Sequence, residues 1–234
     1  NIGRKLPKKM YCNCNISPIT LTADFNVNGV NIEENDKREP VPYRTPKEVE
    51  RQQIQSNNGV NLLQNEQSML LQFCGLAKSD ARGVFQTFAN RDIRQYGNLS
   101  MYIHAESSAH STINDRDLNA VIRIGTDFVS NYYEIKIPLY TTPLTANTLN
   151  PETDAYNDTL WRAINNLNVD LTVLPKLKQM RNVQGVPTTI FSQLQSSGQT
   201  YSIMGDPNLG ELRGILIGVE NVNNPNACGE IWVN

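Results

Sequence analysis

Hydrophobic and polar residues alternate with a period of two along most of the chain, which is the pattern of half-buried β-strands. Within residues 19–34, the apolar positions share one face and the Thr, Asp and Asn positions share the other. Asn28-Gly29 lies inside this run, and Asn-Gly supplies the positive φ angles that a two-residue hairpin turn needs. The sequence therefore predicts an N-terminal β-hairpin that turns at Asn28-Gly29.

Strand patterns recur at short intervals beyond Val60. The run 214–219 is almost continuously apolar, which is typical of an interior strand. The predicted strands are 69–74, 99–105, 118–124, 133–139, 201–204, 213–219 and 230–233. Helical patterns are short and cover only 158–166, with Asp158 or Thr159 as the cap, and 173–182.

Proline and charge interrupt the strand pattern after the predicted hairpin. Because proline removes backbone donors and charged residues resist burial, this stretch is predicted to be extended. Many short antiparallel strands with polar connections favour an all-β, jelly-roll-like β-sandwich, similar to a carbohydrate-binding module, with one or two short helices. The predicted organisation is a hairpin segment over 1–40, a proline-rich linker over 41–58 and a β-sandwich domain over 59–234.

Charge and length exclude several function classes. The 21 basic and 23 acidic residues give a net charge of −2. No basic excess exists to neutralise phosphates, so no nucleic-acid partner is expected. No run of 18 apolar residues provides a membrane helix. The chain begins without Met and lacks the apolar stretch of a signal peptide, so we expect a fragment of a longer protein.

The cysteines are Cys12, Cys14, Cys74 and Cys228. Cys12 and Cys14 are too close for an easy internal disulfide, and no second pair completes a zinc pattern. We therefore interpret the four cysteines as structural residues whose thiols are free or partly paired. The pairing of the four cysteines and the compartment both stay open.

No catalytic residue, metal ligand or cofactor is predicted. The two histidines are His104, on a predicted strand, and His110, in the Ser-rich loop 107–111. No Gly-x-Ser-x-Gly motif accompanies them, so this loop is interpreted as a hairpin tip. Carboxylate pairs for glycoside cleavage meet only in space and cannot be identified in a sequence.

Two other features leave ligand binding open. Residues 115–119 resemble the start of a calcium loop, but Ala120 and Thr126 stand where an EF-hand has Gly and Glu. A different calcium site in this loop and a plain acidic turn are the alternatives. Aromatic residues could form a sugar-stacking surface. The candidates are Tyr102, Tyr132, Tyr133, Tyr140, Tyr156, Trp161 and Trp232.

An ordered series of motifs runs through residues 59–234. It comprises residues 65–69 (NEQSM), 80–85 (DARGVF), 92–106 (DIRQYGNLSMYIHAE), 118–125 (LNAVIRIG), 131–139 (NYYEIKIPL), 205–213 (GDPNLGELR), 217–221 (IGVEN) and 230–234 (EIWVN). This series closely resembles the SprA family, called Sov in some species, which contains gliding-motility and secretion proteins of Bacteroidetes. Residues 1–58 match only loosely, through the proline-bearing run before 48–51.

The resemblance implies a function in protein export. Members of the family are translocons of the type IX secretion system, very large outer-membrane β-barrels that pass folded cargo to the cell surface. The implied partners are the rest of the translocon barrel, accessory outer-membrane proteins such as PorV and the Plug protein, and passing cargo. The chain would be a soluble domain of the cell envelope, on the extracellular or periplasmic side, without direct membrane insertion.

The resemblance carries over no catalytic residues. The motif residues that it marks as architectural, expected to fix strands and loops, are Arg94, Tyr96, Arg123, Tyr133 and Trp232.

The jelly-roll architecture alone supports an alternative function, a carbohydrate-binding or glycan-processing surface module. A flat, exposed row of aromatic residues or a calcium ion in a loop would favour this alternative. A surface without a cleft, with Tyr and Trp buried between strands, would favour the export domain.

Overall fold

The computed structural model describes residues 23–51, 53–55, 61–63, 65–108, 111–184 and 187–234. The strands are β1 (Asp24–Asn31), β2 (Gln53–Gln55), β3 (Asn61–Leu63), β4 (Gln67–Ala77), β5 (Ala81–Arg91), β6 (Asn98–Met101), β7 (Ile103–Ser107), β8 (Leu118–Gly125), β9 (Tyr132–Pro138), β10 (Leu167–Asp170), β11 (Phe191–Leu194), β12 (Thr200–Met204), β13 (Leu212–Asn221) and β14 (Asn226–Val233). The α-helices are α1 (Ile32–Asn35), α2 (Asp154–Leu160) and α3 (Val173–Gln184), and short 3-10 helices cover Leu144–Thr148 and Ala163–Asn165.

The predicted all-β sandwich is confirmed, with 44% strand and 15% helix. A four-stranded sheet has the order β1-β4-β14-β7, and a six-stranded sheet has the order β11-β12-β9-β8-β13-β5. Two-stranded sheets pair β10 with β6 and β2 with β3. The chain crosses between the two large sheets from β4 to β5, from β7 to β8 and from β13 to β14, which is typical of a jelly roll.

The core lies between the two large sheets and follows the predicted alternation. Leu71 and Phe73 of the four-stranded sheet and Ile122 and Ile135 of the six-stranded sheet belong to one buried cluster. Each predicted strand is confirmed, and 99–105 is divided at Tyr102 into β6 and β7. The strand β13 has β8 and β5 as neighbours, so it is an interior strand as predicted.

The predicted hairpin turn at Asn28-Gly29 is wrong. The strand β1 runs straight through this pair, with Asn28 opposite Leu70 and Gly29 opposite Met69 in an antiparallel ladder. The neighbouring strand β4 pairs with β1 along its whole length, from Asp24 to Asn31, and the extended chain buries Val30 at 1% exposure. This pairing outweighs the local turn preference of Asn-Gly. Residues 19–22 of the predicted hairpin lie outside the described residues.

The chain leaves β1 through a capped turn of helix. The Asn31 side chain accepts a hydrogen bond from the Glu34 backbone N–H at 2.9 Å, which is an N-cap for α1. Beyond α1, Val41 and Tyr43 of the predicted linker are buried at 1% and 0% exposure. The division of the chain at residues 40 and 58 stays a prediction.

One of the two predicted helices starts in the wrong place. The second, 173–182, is confirmed by α3, whereas the first, 158–166, begins earlier as α2, with Thr153 as the N-cap. The Thr153 hydroxyl accepts from the Tyr156 N–H at 3.3 Å. The backbone of Trp161 has ψ of 69° and ends the helix where the prediction had placed its centre.

Candidate functional site

The outer face of the four-stranded sheet is covered by residues 36–47, which we call the covering segment. Its Val41 and Tyr43 pack on Trp161 and Trp232 in a second buried cluster, separate from the main core. The Tyr43 hydroxyl lies 2.8 Å from Ser68 Oγ. The Trp161 indole N–H donates to the Arg44 carbonyl at 2.8 Å. These contacts fix an irregular segment on the sheet through buried aromatic side chains.

Beneath the covering segment lies a charge cluster formed by Arg38, His104, Glu106 and Glu230. His104 and Glu106 are two residues apart on β7, and Glu230 is the cross-strand partner of Glu106 on β14. Strand alternation therefore places all three side chains on the face opposite the core. Arg38 reaches down from the covering segment, donates to Glu106 and forms an ion pair with Glu230 at 2.7 Å.

The Arg38 guanidinium also stacks on an aromatic ring. It lies 5.1 Å from the centroid of the Trp232 ring, within the range of a cation–π contact. Its side chain is 18% exposed, against 5% for Glu106 and 13% for Glu230. One cation therefore joins two largely buried carboxylates and ties the covering segment to the sheet.

His104 is fully buried and both ring nitrogens have oxygen partners. Nδ1 lies 3.0 Å from the Leu160 carbonyl and 3.0 Å from Thr142 Oγ1, and Nε2 lies 3.2 Å from Glu106 Oε2. A carbonyl can only accept, so Nδ1 donates to Leu160. It is then not available as a base for the Thr142 hydroxyl, although Thr142, His104 and Glu106 stand in the order of a catalytic triad.

The charge cluster holds Glu106 in its ionised form. Burial alone would raise the pKa of Glu106, but hydrogen bonds and charge from His104 and Arg38 outweigh burial and keep this pKa below its ordinary value. Burial would likewise lower the pKa of Arg38, and its two carboxylate partners raise it instead. The ionised carboxylate is therefore part of the folded state.

The lowered pKa of Glu106 predicts a particular loss of stability in acid. Its stabilising effect is complete above the unfolded-state pKa of about 4.3 and is lost as the pH falls below that value. We expect Glu106→Gln to lower the free energy of unfolding by about 1–3 kcal/mol at pH 7, because Arg38 and His104 lose a charged acceptor. Denaturant unfolding across pH 3–7 should show this difference shrinking towards pH 3.

Glu211→Gln provides the control for this series, because Glu211 is exposed. Its unfolding free energy should follow that of the native protein at every pH. A Glu106→Gln difference that is constant from pH 3 to 7 would contradict the assignment of Glu106 as an ionised member of the cluster.

An open cleft of about 1500 Å³ lies next to the charge cluster. One wall is formed by residues 37–42 of the covering segment, and the opposite walls come from residues 107–108, 111–113 and 141–143 and from Asn147, Leu149 and Pro151. Hydroxyl and proline side chains predominate in its lining, and Arg38, Glu106 and Glu230 reach its surface. Arg38, Glu106 and Glu230 are paired with one another, so the cleft presents mainly hydroxyl groups and the charged side chains of Lys37 and Glu39 to a ligand.

A disulfide joins the strands that form the floor of this face. Cys74 of β4 is bonded to Cys228 of β14, with a Cα–Cα distance of 3.9 Å. Cys228 lies at a shift in the β14–β4 register between Ala227 and Gly229. The partial pairing that the sequence left open is therefore Cys74 with Cys228, while Cys12 and Cys14 lie outside the described residues.

The aromatic candidates for sugar stacking do not form an exposed row. Trp161, Trp232 and Tyr156 are buried at 5% exposure or less, around the covering segment. Tyr132 and Tyr133 alternate as predicted: Tyr133 packs in the core, and Tyr132 lies on the other face with the Arg123 guanidinium 4.4 Å above its ring. Tyr102 and Tyr140 are half-buried.

The acidic loop is held by its own hydrogen bonds. Asp115 Oδ1 accepts from the Thr141 N–H at 2.9 Å, and Asp117 Oδ2 accepts from the Asn114 N–H at 2.8 Å. Arg116 between them has a φ of 70°. Within the described ranges, no group of three His, Cys, Asp or Glu side chains is arranged to hold a metal ion.

Two of the five residues implied to be architectural, Tyr133 and Trp232, are buried, and Arg123 is half-buried. Arg123 donates to Glu134 at 2.6 Å, and the Tyr133 hydroxyl donates to the Pro207 carbonyl at 3.5 Å. Trp232 is fully buried beneath Arg38. Arg94 and Tyr96 lie on an exposed loop, where Arg94 pairs with Asp92 and Tyr96 is 66% exposed. His110 lies outside the described residues.

These features define a two-sheet β-sandwich domain whose buried charged groups hold its own covering segment. The family model described as "Motility related/secretion protein" (SprA_N) matches residues 12–234, and the chain belongs to this family. The resemblance found in its motifs is thereby confirmed. None of the curated proteins matches the chain. No helix in the described part of the chain is long and apolar enough to cross a membrane.

Proposed function

We propose that the protein is a non-enzymatic structural and interaction domain of a type IX secretion translocon. The observation that carries this proposal is the match of residues 12–234 to a family of motility and secretion proteins. In this role the domain scaffolds or caps the export channel and contacts accessory outer-membrane proteins such as PorV and the Plug protein. Passing cargo proteins are its transient partners.

The charge cluster supports an architectural role. Arg38, His104 and Glu106 use their polar atoms on one another and on the backbone, so their chemistry serves to hold the covering segment. The Thr142 hydroxyl faces a histidine nitrogen that already donates to a carbonyl. A rigid, internally paired surface suits a part that must keep its shape beside a wide pore.

The disulfide supports a position outside the cytoplasm. Disulfides form and persist in the periplasm and on the cell surface, whereas the cytoplasm keeps most thiols reduced. The Cys74–Cys228 bond joins neighbouring strands of the folded sheet, so it forms as part of the native structure. We place the domain in the cell envelope, at the outer membrane or the cell surface.

Removing the domain from the full-length secretion protein tests this proposal. The deletion should span residues 23–234, because β1 belongs to the same sheet as β4 and would otherwise lose its partner. With insertion of the remaining channel in the outer membrane verified, we expect export of type IX cargo to be abolished or deregulated. The readouts are secreted cargo, gliding, and co-purification of PorV and the Plug protein.

Re-inserting residues 23–234 into the deleted protein is the control and should restore export. Normal secretion, normal gliding and an unchanged set of co-purifying partners after the deletion would contradict the proposal.

The cleft supports a second candidate function, binding of a carbohydrate. Its hydroxyl-rich lining and its volume of about 1500 Å³ are suited to a polar ligand such as a sugar. A glycan-array experiment on the isolated domain, with hydrolysis of bound glycans assayed in parallel, tests this candidate. Specific binding together with normal export after the deletion would place it ahead of the translocon role.

A further inference from the structure

The strand β5 is a long edge strand that carries few of the features that prevent edge-to-edge association. It has 11 residues, and within the described residues it pairs only with β13. Its central part, residues 83–89, contains neither proline nor a charged side chain. Natural proteins usually shorten, charge or cover such edges, because an unpaired strand edge binds other extended chains.

The hydrogen-bond pattern shows which backbone groups of β5 point away from the sheet. The Asn221 N–H donates to the Asp80 carbonyl at 2.9 Å, so residue 80 faces β13. In an antiparallel ladder this orientation alternates, and the backbone groups of Ala81, which also point outwards, are bonded to the Asp80 carboxylate and the Arg82 guanidinium. The backbone N–H and C=O groups of Gly83, Phe85 and Thr87 point towards the unpaired edge. They form a regular row of donors and acceptors that extends to the shift in the β5–β13 register beyond Thr87.

The side chains of β5 extend both surfaces of the six-stranded sheet to this edge. Val84 and Phe88 are partly buried against the main core, while Phe85 on the other face packs against Phe128 with ring centroids 5.3 Å apart. An added strand would find apolar neighbours on both faces. Apolar residues on its core-facing positions would bury further surface beside Val84 and Phe88.

The end of β5 near Arg91 has an excess of positive charge. Arg91 is exposed and lies over the Phe88 ring at 5.3 Å, and exposed Arg213 donates to Asn90 at 3.0 Å. The nearby Asp92 is paired with Arg94, and the only other carboxylate in 90–94 and 211–213 is Glu211. An antiparallel strand would begin opposite Arg91, so an acidic residue near its N-terminal end fits this charge.

We infer that β5 is an acceptor edge for an extended segment of a partner polypeptide. The segment adds as an antiparallel strand, carries apolar side chains at alternate positions, and has an acidic residue near its N-terminal end. This mode, in which main-chain hydrogen bonds give affinity and alternate side chains give specificity, is β-strand addition. The inference rests on the proposed function, since it names the class of partner that an export domain would hold.

The experiment uses the 234-residue chain and a labelled peptide as long as β5. The peptide alternates Val and Ser and has Glu at its first position; its control carries N-methyl groups on the amides that would face β5. We expect saturable binding of the first peptide by fluorescence anisotropy, and at least tenfold weaker binding of the N-methylated control. A peptide with Lys in place of Glu should bind more weakly than the Glu peptide.

Two variants test the site itself. Thr87→Pro removes an outward-pointing N–H without removing a hydrogen bond to β13, and should weaken peptide binding at least tenfold. Thr87→Val is the matched control, because it keeps the N–H and favours a strand. Arg91→Glu should reverse the preference between the Glu and Lys peptides, a result that a general loss of folding cannot produce.

Three outcomes would overturn the inference: no saturable binding, equal binding by Thr87→Pro and Thr87→Val, or binding that appears only after residues 1–22 are removed. A dimer that Thr87→Pro dissociates in analytical ultracentrifugation would assign the edge to a second copy instead. Since peptide binding is measured without the channel, its failure leaves the deletion experiment to decide the proposed function separately.

Discussion

Replacing both cysteines of the disulfide, as Cys74→Ser/Cys228→Ser, is expected to lower the free energy of unfolding by about 3–5 kcal/mol. The bond joins residues separated by 154 positions in the sequence. Opening so large a loop returns much conformational freedom to the unfolded chain, and the chain-entropy relation gives about 5 kcal/mol as its upper value. For a chain of this size the melting temperature should fall by about 10 °C.

Thermal unfolding followed by circular dichroism, with and without a thiol reductant, measures this effect. The native protein should lose stability when reductant is added, and Cys74→Ser/Cys228→Ser should not respond. Cys12→Ser/Cys14→Ser is the control and should respond as the native protein does. Equal melting temperatures for the native protein and the Cys74→Ser/Cys228→Ser variant would contradict the stabilising role of the bond.

The core could be predicted from the sequence because its signal is local. Leu118, Ala120, Ile122 and Ile124 follow a period of two, and β8 places these four in the main core. The strand β5 was not predicted, because apolar residues lie on both of its faces: Val84 points towards the core and Phe85 away from it. Its identity as a strand depends on β13, which supplies the hydrogen bonds.

The charge cluster could not be predicted, because its members are far apart in the sequence. Arg38 is 68 positions from Glu106 and 192 from Glu230. The nearest available signal was the placement of His104 on the face of the predicted strand 99–105 opposite the apolar residues, with Glu106 two positions further along the chain. Charged residues at such positions usually face water, and only the covering segment makes them a buried pair.

The error at Asn28-Gly29 has the same origin. The pair has a strong local preference for a hairpin turn. Its conformation is set instead by Leu70 and Met69 of β4, which lie opposite Asn28 and Gly29 and are about 40 residues away in the sequence. Pairing along the whole of β1 gains backbone hydrogen bonds and places Phe25 in the core. The turn preference of a dipeptide depends only on its own residues, so it does not show whether a distant strand pairs with it.

Replacing Arg38 by methionine is the second substitution with a large expected effect. Arg38→Met leaves Glu106 and Glu230 without their shared cation in a largely buried site, and removing one partner from a buried ion pair typically costs about 3–5 kcal/mol. The covering segment also loses its charged contact with the sheet. We expect a lower free energy of unfolding in denaturant titrations, together with changed tryptophan fluorescence, because Arg38 lies over the Trp232 ring.

Two further variants show whether the expected loss of stability comes from the unpaired carboxylates or from the removal of an arginine side chain in general. Arg94→Met removes an exposed ion pair with Asp92 and should leave the unfolding free energy nearly unchanged, because exposed ion pairs contribute little to stability. Arg38→Met/Glu106→Gln/Glu230→Gln removes the unpaired charges together with the cation and should regain much of the lost stability, because neutral side chains avoid the cost of buried, unpaired carboxylates. If Arg38→Met were as stable as Arg94→Met, Arg38 would not be the contact that holds the covering segment on the sheet.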